Sequence, residues 1–279
     1  MTVKTILLYL DAPETAARNL KLASALARRY GAHLIGLHVT EGIEVYAGVS
    51  IFAGAIDAEV VSQAGLARAK EVEAAFEAGV KGEDFVAEWR HVEAGAHTAS
   101  DRIIEHARAA DLVMLGQVRP EEPNREANVV VERTIRKCGR PVLVIPYAGD
   151  FEEIGRKALI GWSPTREAAR AAHDAIPLLE DGEAMILTSH SVKDPSTLGV
   201  ETAKELALNF ARHGVKAEVI ERTNDGIAIG ELLENESFER GADLIVTGAF
   251  GHSKVYDFVI GATTTRLLES MTAPVLFSA

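Results

Sequence analysis

Glycine and threonine residues near the carboxyl end of the chain have a spacing that is typical of an anion-binding site. The segment contains Gly248-Ala-Phe-Gly251, and Gly261-Ala-Thr-Thr-Thr-Arg266 opens a predicted helix after nine further residues. Glycines allow a backbone to approach a ligand closely, and a helix N-terminus offers unpaired N–H groups and the positive end of the helix dipole. The pattern predicts a polyphosphate site. The alternative, turn glycines and a glycine before an N-cap at Thr263, is not excluded by the spacing.

The chain repeats itself, and this repeat defines the elements that must position the glycines. Residues 4–18 align with residues 156–170 at an offset of 152, and residues 109–116 align with residues 241–248 at an offset of 132. The offset shortens because the first copy has about 20 additional residues, mostly within 41–61. A fixed internal period indicates repeated structural units. We therefore predict two domains, residues 1–148 and residues 153–279.

Short apolar runs alternate with helical patterns in both copies. The predicted strands are residues 6–10, 34–39, 85–92, 112–115 and 142–145, then 157–161, 184–190, 215–221, 244–247 and 275–277. The helices predicted in the first copy are residues 16–30, 58–78, 98–109 and 129–137. Such alternation predicts a doubly wound α/β fold with parallel sheets. Ligands of these folds bind beyond the carboxyl ends of the strands.

The motifs of the second copy resemble those of the universal stress protein family. They are the Gly-x-x-Gly pair, the glycine before a hydroxyl-rich helix, the strand ending Gly161-Trp-Ser-Pro-Thr, and the final Pro274-Val-Leu. The resemblance covers nearly the whole chain, twice. It implies two tandem open five-stranded parallel sheets of order 3-2-1-4-5. Because single-copy members commonly pair through their last strand, we expect residues 142–145 and 275–277 to pack together in an intramolecular pseudo-dimer.

The resemblance also implies an adenine nucleotide, ATP or ADP with or without Mg²⁺, over the ends of the first and fourth strands of the second copy. Its phosphates are expected at the glycine loop and the helix start. Its adenine is expected at the end of the first strand and at Ser191, which matches an adenine-contacting valine of the family. His252 follows the loop and is either a phosphate contact or a solvated histidine. The predicted site residues are Gly161, Trp162, Ser163, Ser191, Gly248, Gly251, His252, Gly261, Ala262, Thr263 and Thr264.

Two positions depart from the pattern of nucleotide-binding members. Trp162 replaces an aspartate, and Ala262 replaces a serine. Trp162 either stacks on adenine or packs in the core. A lost hydrogen bond to a charged group costs ~1.5–3 kcal/mol, roughly tenfold to a hundredfold in affinity. Two functions therefore stay open: a nucleotide-binding stress-response or signalling module, or a nucleotide-free interaction scaffold whose site has decayed or holds another ligand.

The first copy lacks the glycine loop, and we predict a structural role for it. No glycine occurs between Gly116 and Gly139. Asp11 is a candidate ribose-binding acid with little else to support it. The segment after Gly116 instead contains Pro120, Glu121, Glu122, Pro123 and Glu126. Prolines remove N–H donors and carboxylates repel phosphate. At most one nucleotide per chain is expected.

Composition excludes several other classes of protein. The net charge of −12 disfavours nucleic acid and anionic membrane surfaces as partners. The single cysteine, Cys138, excludes an intrachain disulfide and fits a reducing compartment, so we expect a soluble cytoplasmic protein. Neither Gly-x-Ser-x-Gly nor Gly-Lys-Ser/Thr occurs, and the nine histidines show no zinc-ligand spacing. We predict no catalytic residue, at most slow ATP hydrolysis, and self-association through remaining apolar surface.

Overall fold

The computed structural model describes residues 2–41, 58–119, 125–191, 197–224, 226–250 and 261–279. The first half contains five strands, which are β1 (Thr5–Tyr9), β2 (His33–Thr40), β3 (Ala87–Glu93), β4 (Leu112–Gly116) and β5 (Val142–Ile145). Its helices are α1 (Pro13–Tyr30), α2 (Ala58–Gly79), α3 (Ala99–Ala107) and α4 (Arg125–Lys137).

The second half repeats this succession. Its strands are β6 (Lys157–Trp162), β7 (Glu183–Ser191), β8 (Lys216–Asn224), β9 (Leu244–Gly248) and β10 (Val275–Ser278). Its helices are α5 (Arg166–Ala175), followed by a 3-10 turn (Ile176–Leu179), then α6 (Leu198–Arg212), α7 (Ile229–Arg240) and α8 (Ala262–Ser270). None of the helices in the described ranges is long and apolar enough to cross a membrane.

The two halves share one sheet, and its strand order confirms the predicted fold class. The order is β3-β2-β1-β4-β5-β10-β9-β6-β7-β8, so that each half has the order 3-2-1-4-5. Strands pair in parallel within each half, whereas β5 and β10 pair antiparallel with Leu143 opposite Leu276. The expected contact between the two last strands is therefore present. It merges the two five-stranded sheets into one of ten strands.

Helices cover both faces of this sheet. Buried side chains of α1, α2, α5 and α6 form the apolar layer on one face. Those of α3, α4, α7 and α8 form the layer on the other face. Each layer therefore draws helices from both halves. The strands between the layers are short apolar runs because both of their faces are buried.

Two helices of the first half begin earlier than the apolar periodicity predicts. Helix α1 begins at Pro13 rather than at residue 16, with proline in its first turn and Glu14 beside the N-terminus. Proline fits the first turn because its missing N–H would have no intrahelical acceptor there. Helix α4 begins at Arg125 rather than at residue 129. Its first residues are polar, and an apolar pattern gives no signal for them.

A repeated aspartate ties the strands of each half together. The Asp111 carboxylate accepts hydrogen bonds from the backbone N–H groups of Lys4 (2.8 Å) and Thr5 (3.0 Å). The Asp243 carboxylate accepts three equivalent bonds, from Gly155 (2.8 Å), Arg156 (2.9 Å) and Lys157 (3.2 Å). The Ala-Asp-Leu sequence that occurs in both copies is therefore explained by this link between the first and fourth strands.

Polar contacts between the halves supplement the strand pairing. The Gln117 side chain donates from Nε2 to the Leu268 carbonyl oxygen (2.8 Å) and accepts from the Tyr147 N–H (3.0 Å). On the opposite face, the Tyr30 hydroxyl donates to the Pro177 carbonyl oxygen (3.0 Å). These contacts fix the orientation of one half relative to the other on both sides of the sheet.

Candidate functional site

A cavity of about 430 Å³ lies at the carboxyl ends of β6, β7 and β9. This is the position at which the strand order changes direction, where doubly wound folds bind ligands. Part of its wall is apolar and includes Leu187, Ile229 and Leu232. The predicted site residues that line the cavity are Gly161, Trp162, Ser163, Gly248, Gly261, Ala262, Thr263 and Thr264. The structure therefore brings together residues that lie about 100 positions apart in the sequence.

Gly248 is required by the packing of helix α5 against the sheet. A Cβ atom added to Gly248 would lie 2.5 Å from the backbone nitrogen of Ala168 and 2.5 Å from the carbonyl carbon of Glu167. The equivalent Gly116 in the first half is similarly enclosed, with the Asn19 Nδ2 atom 2.8 Å from such a Cβ. Both glycines allow a helix to approach the fourth strand closely, so neither depends on a ligand for its presence.

Gly261 differs from Gly248 because the described residues leave room for a side chain there. It is the N-cap of α8, with φ −63° and ψ 131°, and as a glycine it offers no side chain to cap the helix start. The Thr265 N–H donates to the Gly261 carbonyl oxygen (3.1 Å), so the N-cap lies two residues before the one considered at Thr263. A Cβ at Gly261 would have its nearest neighbours at 3.9 Å. The glycine therefore supplies space in front of the helix N-terminus, and its backbone needs no positive φ.

Phe250 adopts the positive φ of the loop and is held by the first half. Its φ is 66°, which is uncommon for a bulky side chain. The Arg136 guanidinium carbon, on helix α4, lies 4.3 Å from the centre of the Phe250 ring. This distance is within the range of a cation–π interaction. A residue of the first half therefore contacts the glycine loop of the second half directly.

Trp162 packs against the core of the α1 and α6 face. Its indole Nε1 donates to the Thr202 hydroxyl (3.0 Å) on helix α6. Trp162 occupies the position where nucleotide-binding members have an aspartate, and its indole N–H is already hydrogen-bonded to Thr202. Of the two roles considered for Trp162, this contact favours packing, although the residue also borders the cavity.

Among the described residues that line the cavity, the charged side chain is a carboxylate. Glu167, in the first turn of α5, lines the cavity with its side chain 12% exposed. Arg166 Nη2 lies 2.7 Å from its Oε1 and neutralises part of its charge. Within the described lining, the groups that can bind an anion are therefore neutral N–H and hydroxyl groups. Among the described residues, no group of three or more His, Cys, Asp or Glu side chains is arranged to hold a metal ion.

Three predicted site residues are not placed in the cavity by the described structure. Gly251 and His252 lie outside the described residues, as does the side chain of Ser191. The backbone of Ser191 is the last residue of β7, and this end of β7 faces the same edge of the sheet as the cavity.

Comparison with known proteins agrees with this architecture. The model of the universal stress protein family matches residues 2–146 and 156–278. The chain belongs to the universal stress protein family. No curated protein matches it in sequence.

Solved universal stress proteins share its fold. One from Archaeoglobus fulgidus DSM 4304 is 14% identical over 100% of this chain and 99% of that chain, with a TM-score of 0.75. A Pseudomonas aeruginosa UCBPP-PA14 protein assigned to the same family is 16% identical over 99% and 93%, with a TM-score of 0.60. At these identities the likeness concerns the fold.

The first universal stress protein half contains a larger cavity that the sequence analysis missed. It has a volume of about 750 Å³ and lies at the carboxyl ends of β1, β2 and β4. The glycine motif predicts a site only after the fourth strand, and no glycine occurs between Gly116 and Gly139. The residues that indicate this cavity are polar and lie elsewhere in the first half. They are Tyr9, Asp11, His38 and Thr40 at the ends of β1 and β2, and Arg68 on α2.

Proposed function

We propose that the second half of the chain binds an adenine nucleotide, ATP or ADP with or without Mg²⁺, and that the protein is a stress-response or signalling module. The observation that carries the proposal is the open N-terminus of α8 at the cavity. Helix geometry leaves the N–H groups of Ala262, Thr263 and Thr264 without intrahelical acceptors, and the N-cap residue, Gly261, has no side chain to cap them. Such a helix start, bordered by space at Gly261, is suited to a phosphate group.

The remainder of the cavity suits a nucleoside. Apolar side chains of β7 and α7, including Leu187 and Leu232, offer a surface for a base. The Ser163 hydroxyl and the Thr247 side chain offer polar contacts at the same edge. Membership of the universal stress protein family supports the choice of an adenine nucleotide among phosphate-bearing ligands. The described lining of the cavity holds no pair of groups positioned as general base and nucleophile, and we propose binding and not efficient catalysis.

Calorimetric titration of the full chain with ATP, ADP and GTP tests the proposal. We expect one equivalent of adenine nucleotide per chain, and weaker binding of GTP. Absence of heat at millimolar adenine nucleotide would reject nucleotide binding. Two equivalents per chain would reject the assignment to the second half alone.

A nucleotide-free interaction scaffold is the second candidate. Trp162 bound to Thr202 and the carboxylate of Glu167 both work against nucleotide affinity. The Phe238 side chain, 83% exposed on α7, offers an apolar contact for a partner or a second copy of the chain. Sedimentation of the nucleotide-free protein distinguishes self-association from a monomer.

A cytoplasmic location remains part of the proposal and rests on the single cysteine.

A further inference from the structure

We propose that the cavity of the first half binds a small organic cation, an amine with an apolar body. This ligand class is distinct from the nucleotide proposed for the second half. The inference does not depend on nucleotide binding, because different residues in a different cavity carry it.

The size and the apolar wall of the cavity suit a small molecule. Its volume of about 750 Å³ lies within the range of small-molecule sites. One wall is formed by aliphatic side chains of β2, β4, α4 and the segment that follows β4. These side chains are Val39, Leu115, Val118, Val130 and Val131. An apolar ligand body would be desolvated against this wall.

His38 presents a buried hydrogen-bond acceptor at the cavity. The residue is 4% exposed, and its Nδ1 lies 2.7 Å from the Leu10 carbonyl oxygen. A carbonyl oxygen only accepts, so Nδ1 carries the proton and Nε2 has a lone pair. No described residue donates a hydrogen bond to Nε2. Burial lowers the pKa of His38, and the neighbouring His91 and Arg68 lower it further, so the ring is neutral and its acceptor is retained at neutral pH.

Among the described residues, the charged side chains that line the cavity carry a net negative charge. Three of them are carboxylates and one is a guanidinium: Asp11, Glu41, Glu71 and Arg68. Arg68 donates from Nε to the Asp11 carbonyl oxygen (3.2 Å). A second arginine, Arg18, interacts with the charge of Asp11 but is not among the described residues that line the cavity. Its Nη1 donates a hydrogen bond to the Tyr147 carbonyl oxygen.

The Tyr9 hydroxyl at this cavity is neutral. Its pKa is raised above the ordinary value, first by burial and then by the charges of Asp11 and Glu41. The hydroxyl therefore stays protonated and adds no charge to the lining.

These features together favour an ammonium group over a phosphate or carboxylate. Carboxylates and the His38 Nε2 atom accept hydrogen bonds from N–H donors. The same groups repel an anion, and the glycine loop of the second half has no counterpart here. The net charge of the lining and the buried acceptor thus select the same chemical class independently.

A matched series of probes tests the proposal. Phenethylamine, phenethyl alcohol and phenylacetate share an aromatic body and differ in the charge of the polar end. Each is titrated into the isotope-labelled full chain up to about 10 mM, a range that detects weak binding. Backbone amide shifts are followed by NMR. We expect saturable shifts with the amine, centred on residues 9–11, 38–40 and 64–71, weaker binding of the alcohol and none of the carboxylate.

Three variants test whether the charge of the cavity lining determines the affinity for the amine. Glu71→Gln weakens amine binding about fivefold, because it removes a lining carboxylate, whereas Arg68→Gln strengthens it by a similar factor. Glu77→Gln removes the same charge from the same helix outside the cavity and leaves the affinity unchanged. The proposal is overturned if the amine does not bind by about 10 mM. It is also overturned if phenylacetate binds equally well, if the shifts lie elsewhere, or if the two glutamate variants behave alike.

Discussion

Substitution of Gly261 by valine separates ligand binding from folding at the second-half site. In the described part of the chain no non-adjacent residue comes closer than 3.9 Å to the Cβ position of Gly261, and its φ of −63° suits any residue. We therefore expect the free energy of unfolding to change by less than about 1 kcal/mol. The added isopropyl group would stand in front of the α8 N-terminus, where the phosphate is proposed to bind.

The expected loss of affinity follows from the N–H groups that the valine blocks. Two charge-assisted hydrogen bonds at ~1.5 kcal/mol each amount to ~3 kcal/mol, or roughly a 150-fold increase in Kd. Gly261→Ala adds one methyl group at the same place, and we expect a smaller loss. Calorimetric titration with ADP measures the affinities, and urea unfolding of the same preparations confirms that the variants fold.

Gly248→Val is the contrasting variant. Its Cβ would meet the α5 backbone at 2.5 Å, so we expect destabilisation by several kcal/mol and a loss of binding that carries no information about the ligand. A folded Gly261→Val protein with the affinity of the unchanged chain would refute the placement of the phosphate at α8.

Three further outcomes are expected. Asp243→Ala lowers the free energy of unfolding by about 2–3 kcal/mol because it leaves three N–H groups without their acceptor, and Asp111→Ala, with two, costs less in the same urea titration. Because burial lowers the pKa of His38 in the folded protein, its neutral ring stabilises the fold above the ordinary pKa of 6.5, and this contribution is lost as the pH falls through the folded-state pKa. Urea midpoints measured on either side of pH 6.5 should show the loss. His38→Gln should reduce the dependence of the urea midpoint on pH. Arg136→Ala removes a cation–π contact worth about 0.5–1 kcal/mol and should speed amide exchange at Phe250, whereas Arg136→Lys should restore part of the protection.

The fold was predictable from the sequence because two patterns in it are strong, the apolar runs of the buried strands and the internal repeat. Strands buried on both faces, such as β4 and β9, appear as continuous apolar runs, and the internal repeat assigns each run in one half a counterpart in the other. The pairing of β5 with β10 was predicted from the family resemblance. The polar first turn of α4 was missed because periodicity registers apolar residues only.

The candidate site was predictable only in part. Motif spacing located the residues at the cavity, but it does not distinguish a glycine that admits a helix, such as Gly248, from one that leaves open space, such as Gly261. That distinction depends on the approach of α5, which is a tertiary property. The first-half cavity was missed for a related reason: its polar side chains come from β1, β2 and α2, and no local motif joins them.

The antiparallel junction between β5 and β10 has a genetic consequence. In a symmetric dimer of single domains, each substitution appears twice, and every contact across the junction changes together with its symmetry mate. Here the two partners are encoded separately and remain joined in every molecule. Arg136 faces Phe250 in one direction across the junction, while the aligned positions in the other direction hold Glu269 and Val118. The cavity of one half is thus free to change while that of the other half stays the same.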